Sequence, residues 1–288
     1  MLVTGATGFT GSAVVPLLLE QGHSVRCLVR PTSDRHWLPS TAIEWATGDV
    51  GDHASLASAM RGVDTLVNLT SLGFGHAPTI VGAAQAAGVG RAVFVSTTAV
   101  LTRLQPRSKE IRLAAERLIA ESGIASTILR PAMIYGSPRD RNISRLIRLL
   151  MLSPVIPVFG SGVHLQQPVH VLDVAAAVVA CVANSSTADR VYAVAGPEAI
   201  TYNKLIDLIA CSLGKRAIKI HIPAGPVAAA LAAFEAVGLK LPIKSEQVRR
   251  LEEDKAFDIR PAIQDFGFSP KPFAEGARLE VEMVKRRG

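Results

Sequence analysis

The chain is poor in several features that would have fixed a function class at once. It has 3 cysteines in 288 residues, and only 5% of it is aromatic. Cys27, Cys181 and Cys211 lie far apart, each in an apolar run, which excludes a disulfide framework and a cysteine metal cage. They read as reduced, buried thiols of a cytoplasmic protein. The 7 histidines include no His-x-x-x-His pair with a carboxylate partner, so no metal site is expected. There is no G-x-S-x-G elbow for a nucleophilic serine. No internal repeat and no low-complexity tract appears, which excludes solenoids and disordered tails. A long uninterrupted apolar run is also missing. The most apolar stretch, Ile222 to Ile243, carries three prolines together with Glu235 and Lys240, and makes a poor membrane span.

Charge of one sign is not concentrated either. The net charge of +7 suits an anionic ligand, but the basic residues are scattered, apart from Lys285-Arg286-Arg287. A nucleic-acid partner is therefore not expected. No oligomer interface can be read from the pattern.

What is present is apolar residue in quantity, 49% of the chain, arranged in a rhythm. Short apolar strands alternate with helical patterns through the first half, as in a parallel α/β sheet. Strands are expected at Met1–Thr4, Ser24–Val29, Ile43–Thr47, Thr65–Leu69, Arg91–Val95 and Thr127–Leu129, the last stopped by Pro131. Helices are expected at Gly11–Gln21, Ala54–Met60, Thr79–Ala87 and Lys109–Glu121. Near-continuous apolar strands such as "AVFVS" fit a sheet buried on both faces. After Pro131 the rhythm loosens into a helix, a Pro/Gly-punctuated excursion, an apolar helix at Val171–Val182 and a strand in "RVYAVAG". From Thr201 on, the pattern is mostly helical. The fold class is α/β: a Rossmann-type doubly wound parallel sheet with a smaller, mostly helical carboxyl-terminal substrate-binding part. The dinucleotide-binding domain would take residues 1–154, with 168–198 returning to it, and the smaller part 155–167 and 199–288. Pro223–Leu241 is expected as a buried lid helix over the pocket, in preference to a membrane-surface helix.

The chemistry starts at "LVTGATGFTG". Its three glycines follow a strand and open a helix, the setting that makes such a motif informative. Gly5 permits the tight turn, Gly8 lets backbone approach a pyrophosphate, and Gly11 lets strand and helix pack closely. The helix amino terminus supplies N–H groups and a positive dipole end. The turn also occupies the place where a secretory leader would stand, which again points to the cytoplasm. The second strand ends "CLVRPTSDR": Arg30 stands where a cofactor without a 2′-phosphate usually meets an acidic residue, with Ser33 and Arg35 nearby. This favours NADP(H) over NAD(H), unless Arg30 is simply a solvated charge. Asp49, with Val50, would receive the adenine, or else Asp49 structures its own loop. Asn68, Leu69 and Thr70 fall at the carboxyl edge of the sheet, where such folds bind ligand.

"TGATGFTG", "VFVSTTAV", "ILRPAMIYG" and "QPVHVLDVA" together resemble the extended and atypical short-chain dehydrogenase/reductase superfamily, and within it the NAD-dependent epimerase/dehydratase family. "RPAMIYGSPRDRN" with "VIPVFGSGVHLQQPVHVLDVA" is similar to the branch that holds the nucleotide-binding accessory subunit of complex I. The tail "DIRPAIQDFGFSPKPFAEG" extends the resemblance over essentially the whole chain. It implies a bound NAD(P) and a small-molecule substrate beneath the carboxyl-terminal part; the group's best-known substrates are nucleotide sugars. Carried over by position, Gly5, Thr7, Gly8, Phe9, Thr10 and Gly11 would line the pyrophosphate and Arg30 the 2′-phosphate. Ser96 would lie near the nicotinamide, with Pro131 and Met133 against its ring.

The family's proton transfer uses a Ser/Thr and a Tyr-x-x-x-Lys pair. Here none of Tyr135, Tyr192 and Tyr202 is followed four residues later by lysine. Anchoring on Glu116, the family positions fall on Ser108 and Arg112, with Thr98 as the hydroxyl near the nicotinamide. Arg112 could bond ribose hydroxyls, and it is charged at any working pH; Ser108 has no phenol. Thr97 and Thr98 serve equally well as strand-end caps. His164 sits in a loop near the pocket, and His170 and Asp173 read as the start of the following helix, with Asp173 its cap. Two expectations follow: an oxidoreductase or epimerase/dehydratase-like enzyme without the standard pair, or an NADPH-binding scaffold or redox sensor without turnover.

Overall fold

In the computed structural model, residues 1–236, 238–239 and 244–286 are described. Lys240, Leu241, Ile243 and Arg287, which belong to stretches discussed above, lie outside the described residues. The first half is built of β1 (Leu2–Thr4), α1 (Gly11–Glu20), β2 (Val25–Val29), β3 (Ile43–Thr47), α2 (His53–Ala59), β4 (Thr65–Asn68), α3 (Ala77–Ala86), β5 (Arg91–Val95), α4 (Arg107–Ala120) and β6 (Ala125–Pro131). Each expected element is present within two residues of its ends. The largest shifts are of two residues: α3 begins at Ala77, because Pro78 stands in its first turn, where a missing N–H costs nothing. β6 also runs through to Pro131, which pairs with Val194 as the last rung of its ladder.

The second half adds β7 (Ile134–Tyr135), α5 (Ile143–Leu152), β8 (Val155–Phe159), β9 (Leu165–Gln166), β10 (Val169–His170), α6 (Val171–Ala183), β11 (Arg190–Val194), β12 (Ile200–Thr201), α7 (Tyr202–Ser212), β13 (Ile218–Ile222), α8 (Ala224–Ala236), α9 (Ser245–Arg249), α10 (Arg260–Phe266) and α11 (Phe273–Lys285). Seven strands form one all-parallel sheet in the order β11-β6-β5-β4-β1-β2-β3. The chain reverses direction across the sheet between β1 and β4, and the crevice at their carboxyl ends is where such sheets take ligands.

Side-chain alternation along the strands builds two cores at once. Val3, Val67 and Val93 face α1 and α6, packing with Val14, Leu18, Val174 and Val178. Their neighbours Leu2, Leu66 and Phe94 face the other way, onto Leu56, Ile80 and Ile119 of α2, α3 and α4. A third core joins α5, α7 and α11 through Ile147, Leu205, Ile209 and Val281.

Four expectations are corrected. The carboxyl-terminal part contains a strand that the helical pattern hid: β13 pairs in parallel with β8 from Ile218↔Val155 to Ile222↔Phe159. The expected buried lid helix is α8, but it buries only Ala224 and Ala228 and leaves Phe234 exposed. Its alanine-rich sequence offers no one-sided apolar stripe, and it packs beside α9 away from the cleft lining. Cys27 and Cys181 are buried as expected, whereas Cys211, on the outer face of α7, is exposed. Asp173 does not cap α6. The His170 ring accepts from Leu172 N instead, and Asp173 holds the backbone N–H and the ammonium of Lys271.

Candidate functional site

The glycine-rich loop bends back tightly after β1. Gly5 has φ +71°, and a Cβ there would lie 3.0 Å from the Leu69 carbonyl carbon. Gly8 N donates to Gly5 O at 3.0 Å and closes the turn. Gly11 is where α1 presses on the loop: an added Cβ would sit 2.3 Å from Gly5 O. Among the described residues, no side chain caps the amino terminus of α1. Ser12 N and Ala13 N of its first turn donate to Gly8 O and Thr10 O at 3.0 Å, and the helix turns its positive dipole end toward the loop.

Two adjoining cavities run along the carboxyl edge of the sheet. The larger cleft, about 1190 Å³, is lined by Gly8, Phe9, Thr98 and Met133 of the expected site, and by His164, Asp254 and Lys255 from later segments. The smaller pocket, about 580 Å³, brings together Thr10, Leu69, Ser96, Ser108, Arg112 and Pro131. Thr97, Ala132, Ile134 and Arg250 line both, so the two are one trough with Arg250 at the divide. Outside the lining stand Gly5, Thr7, Gly11, Arg30, Asp49, Val50, Asn68 and Thr70.

Several polar groups at this edge are already committed. Asn68 is fully buried; its Oδ1 accepts from Thr4 Oγ1 (2.7 Å) and Thr70 Oγ1 (2.6 Å), which locks β1 to β4. Asp49 is exposed and accepts from Gly51 N at 2.8 Å, structuring its own loop, and Val50 packs on the second core. Arg30 is exposed at the end of β2, its N–H donating to Ser33 Oγ at 3.1 Å, and Arg35 stacks over Trp45 at 4.9 Å. Thr97 caps the short turn after β5 by accepting from Ala99 N, while Thr98 Oγ1 donates to Pro131 O at 3.3 Å.

The α4 face is the chemically interesting wall. Glu116 is buried, accepts from Ser96 Oγ at 2.5 Å and pairs with Arg130 at 2.5 Å, so it fixes the Ser96 hydroxyl. Arg112 Nη1 donates to the Ser108 carbonyl at 3.2 Å. Burial and the nearby Arg250 push the Arg112 guanidinium down from its ordinary value, which starts high enough to leave it charged. In the larger cleft, Asp254 accepts from Leu165 N at 2.8 Å and from the His164 ring at 3.3 Å. Those bonds, the backbone one first, hold its carboxyl below the usual range. Burial pushes the Lys255 ammonium down; its Nζ donates to Arg250 O at 2.6 Å. Glu253 ties this segment to the far wall by accepting from Thr102 Oγ1 (2.5 Å) and Arg103 N (2.8 Å). Sequence reasoning missed Arg139, Arg250, Glu253, Asp254 and Lys255. Arg139 lies within RPAMIYGSPRDRN without a role of its own there, and no motif marks the other four, which reach the trough from a distant segment. Among the described residues no group of His, Cys, Asp or Glu could hold a metal ion.

A doubly wound parallel sheet with a glycine-rich first turn and a trough over its switch point defines a Rossmann-type dinucleotide-binding protein. The chain belongs to the NAD(P)H-binding family, whose profile matches residues 5–185. It is 32% identical over 232 residues to the (4-alkanoyl-5-oxo-2,5-dihydrofuran-3-yl)methyl phosphate reductase of Streptomyces griseus, covering 75% of this chain and 74% of that protein. It is 25% identical over 291 residues to the mitochondrial NADH dehydrogenase (ubiquinone) 1 alpha subcomplex subunit 9 of Arabidopsis thaliana, covering 91% and 70%. Its fold matches UDP-glucose 4-epimerase of Thermotoga maritima, solved with UDP-glucose, with TM-score 0.79 and 18% identity over 99% of this chain and 98% of that one. The chain is thus similar in sequence to a complex I subunit and shares its fold with a nucleotide-sugar epimerase. No described helix is long and apolar enough to cross a membrane.

Proposed function

We propose that the chain is an NADP(H)-dependent oxidoreductase, or an epimerase/dehydratase-like enzyme, acting on a small molecule without the Tyr-x-x-x-Lys pair. The preference for NADP(H) rests on one observation: the turn after β2 presents Arg30, Ser33 and Arg35, and its acidic residue, Asp34, is paired with His36. A guanidinium at this edge complements a 2′-phosphate, where an NAD site would place a carboxylate on the ribose hydroxyls. The loop residues Gly5 to Gly11 fit the diphosphate. Asp49 and Val50 would flank the adenine, and Asn68, Leu69 and Thr70 would flank the ribose, with the Asn68 side chain bonded to Thr70.

When bound, the nicotinamide supplies hydride transfer. Around it, Pro131 and Met133 would give an apolar wall and exclude water. Ser96, aimed by Glu116, and Thr98 would supply hydroxyls, Arg112 would hold ribose oxygens from α4, and Ser108 would stand where the phenol is otherwise found. Phosphate-bearing carbonyl compounds and nucleotide sugars are the substrate classes to test first, since they are the ones named for the Streptomyces and Thermotoga proteins. The domain scheme that goes with this reading is 1–154 with 168–198 for the cofactor, and 155–167 with 199–288 for the substrate. Its buried, unreactive Cys27 and Cys181 suit the cytoplasm.

A second reading, cofactor binding without turnover, is favoured by Arg112 donating to its own helix at the Ser108 carbonyl. Fluorescence titration separates cofactors: NADPH is expected to bind roughly tenfold or more tightly than NADH, and Arg30→Ala to erase that difference. Equal wild-type affinities would sink the NADP(H) assignment. NADPH consumption with a phosphate-bearing carbonyl compound, or redox-neutral conversion of a nucleotide sugar followed by product analysis, lost in both Ser108→Ala and Arg112→Ala, would establish the catalytic wall. Tight binding with neither consumption nor conversion would select the second reading.

A further inference from the structure

We propose that Arg139 is a diphosphate-binding residue of the cofactor site, held over the glycine-rich loop by Trp37; this rests on the dinucleotide reading above. Arg139 belongs to the segment just past β7, 132 residues beyond Thr7, yet its guanidinium returns to the first turn. Its Nη2 donates to Thr7 O at 2.8 Å and its Nη1 to Ser12 Oγ at 3.2 Å. It lines the larger cleft beside Gly8 and Phe9. The Trp37 ring lies against it, with the guanidinium carbon 5.1 Å from the ring centroid.

The charge balance of the loop gives this contact a purpose. Residues 5–12, GATGFTGS, contain no basic side chain. The end of α1 contributes a partial positive charge of about half a unit, while a dinucleotide's diphosphate carries about two negative charges. Arg139 is a cation that the fold brings to the loop, at Thr7 O and Ser12 Oγ. A guanidinium presents five N–H donors in a planar fork, so one group can bridge a loop carbonyl and a phosphate oxygen together. Stacking on Trp37 sets the plane of the fork before any ligand arrives, which lowers the ordering cost of binding. Trp37 stands on the connection that follows Arg30. The Trp37–Arg139 contact therefore joins the connection after Arg30 to the segment past β7, beside the glycine-rich loop.

A diphosphate ligand differs from a structural clip in what it discriminates. In the full-length protein, Arg139→Gln is expected to weaken NADPH and NADH by the same factor, roughly 10- to 100-fold, because both carry the diphosphate. Arg139→Lys, which keeps the charge, should recover much of that loss. Urea midpoints of the ligand-free variants should stay within a few tenths molar of wild type. Undiminished binding by Arg139→Gln alongside normal wild-type binding would overturn this inference alone. So would equal losses in the Gln and Lys variants together with a lowered midpoint, which would make Arg139 a loop clip. A wild-type protein that bound neither dinucleotide would overturn the parent reading and this one together.

Discussion

Glu116 illustrates how single residues at this site are held by their partners. A carboxylate that is 5% exposed is tolerable only because Arg130 and the Ser96 hydroxyl both face it. Removing one partner of such a pair leaves an uncompensated charge in a low-dielectric setting. Arg130→Met is accordingly expected to lower the unfolding free energy by about 3 kcal/mol, measured by urea denaturation. A loss below about 1 kcal/mol would mean that water already solvates the carboxylate. Ser96 follows β5, while Glu116 and Arg130 come from α4 and β6, so this triad could not be paired by inspection of the chain. Glu116 entered the sequence argument only as a counting anchor. The same difficulty applies to Asp173: its position near the start of α6 suggested a cap, but capping is decided by which side chain reaches the free N–H. His170 reaches it, and Asp173 turns to Lys271.

Among elements, the β1-loop-α1 unit was the most readable, because each glycine answers a local geometric demand. Gly11 is the sharpest case. A methyl group there would meet two backbone carbonyls, Gly5 O at 2.3 Å and Ala6 O at 2.4 Å, which cannot swing aside as side chains do. Gly11→Ala should cost about 2 kcal/mol or more by overpacking, with dinucleotide binding falling in parallel. An unchanged urea midpoint would show that α1 can slide along the sheet. The elements that were misread share a different cause. Among the described residues β8 and β13 are short and pair only with each other, β13 with an alternating pattern of Ile218, Ile220 and Ile222 inside a stretch otherwise rich in helix formers. Burial of α8 was expected from its apolar composition, but composition does not say whether a neighbour exists to cover a helix. The described structure places α9 on one side of it and leaves Phe234 48% exposed.

At the scale of the whole molecule, the last helix reaches back to the trough. Glu280 of α11 is fully buried, accepts from Gly136 N at 2.9 Å, and faces Asp140, which itself lines the larger cleft. Burial first, then the Asp140 carboxyl, push Glu280 from 4.5 up to about 10. The folded protein therefore keeps a proton that the unfolded chain gives up above pH 4.5, so this group favours the fold in acid and opposes it as pH rises. Between pH 4.5 and 10 its contribution should fall by up to about 1.4 kcal/mol per pH unit. Glu280→Gln, which keeps an acceptor for Gly136 and cannot ionise, should flatten that slope and be more stable than wild type near pH 9. Parallel stability-pH curves for the two proteins would refute the assignment.

The chain by itself determined the order of strands and helices in the first half, the two-faced sheet, the glycine-rich turn and the basic edge at Arg30. These follow from local demands, in side-chain alternation, positive φ and strand-end charge, that a short segment carries within it. Only the tertiary structure decided how the trough is walled. Arg112 and Ser108 meet Ser96 and Pro131 across the sheet edge, Arg250 and Lys255 arrive from a segment more than a hundred residues further on, and Arg139 returns to the loop at Thr7. Such meetings depend on long-range packing, in which the free energy of each contact is set by burial and by partners that no neighbouring residue reveals.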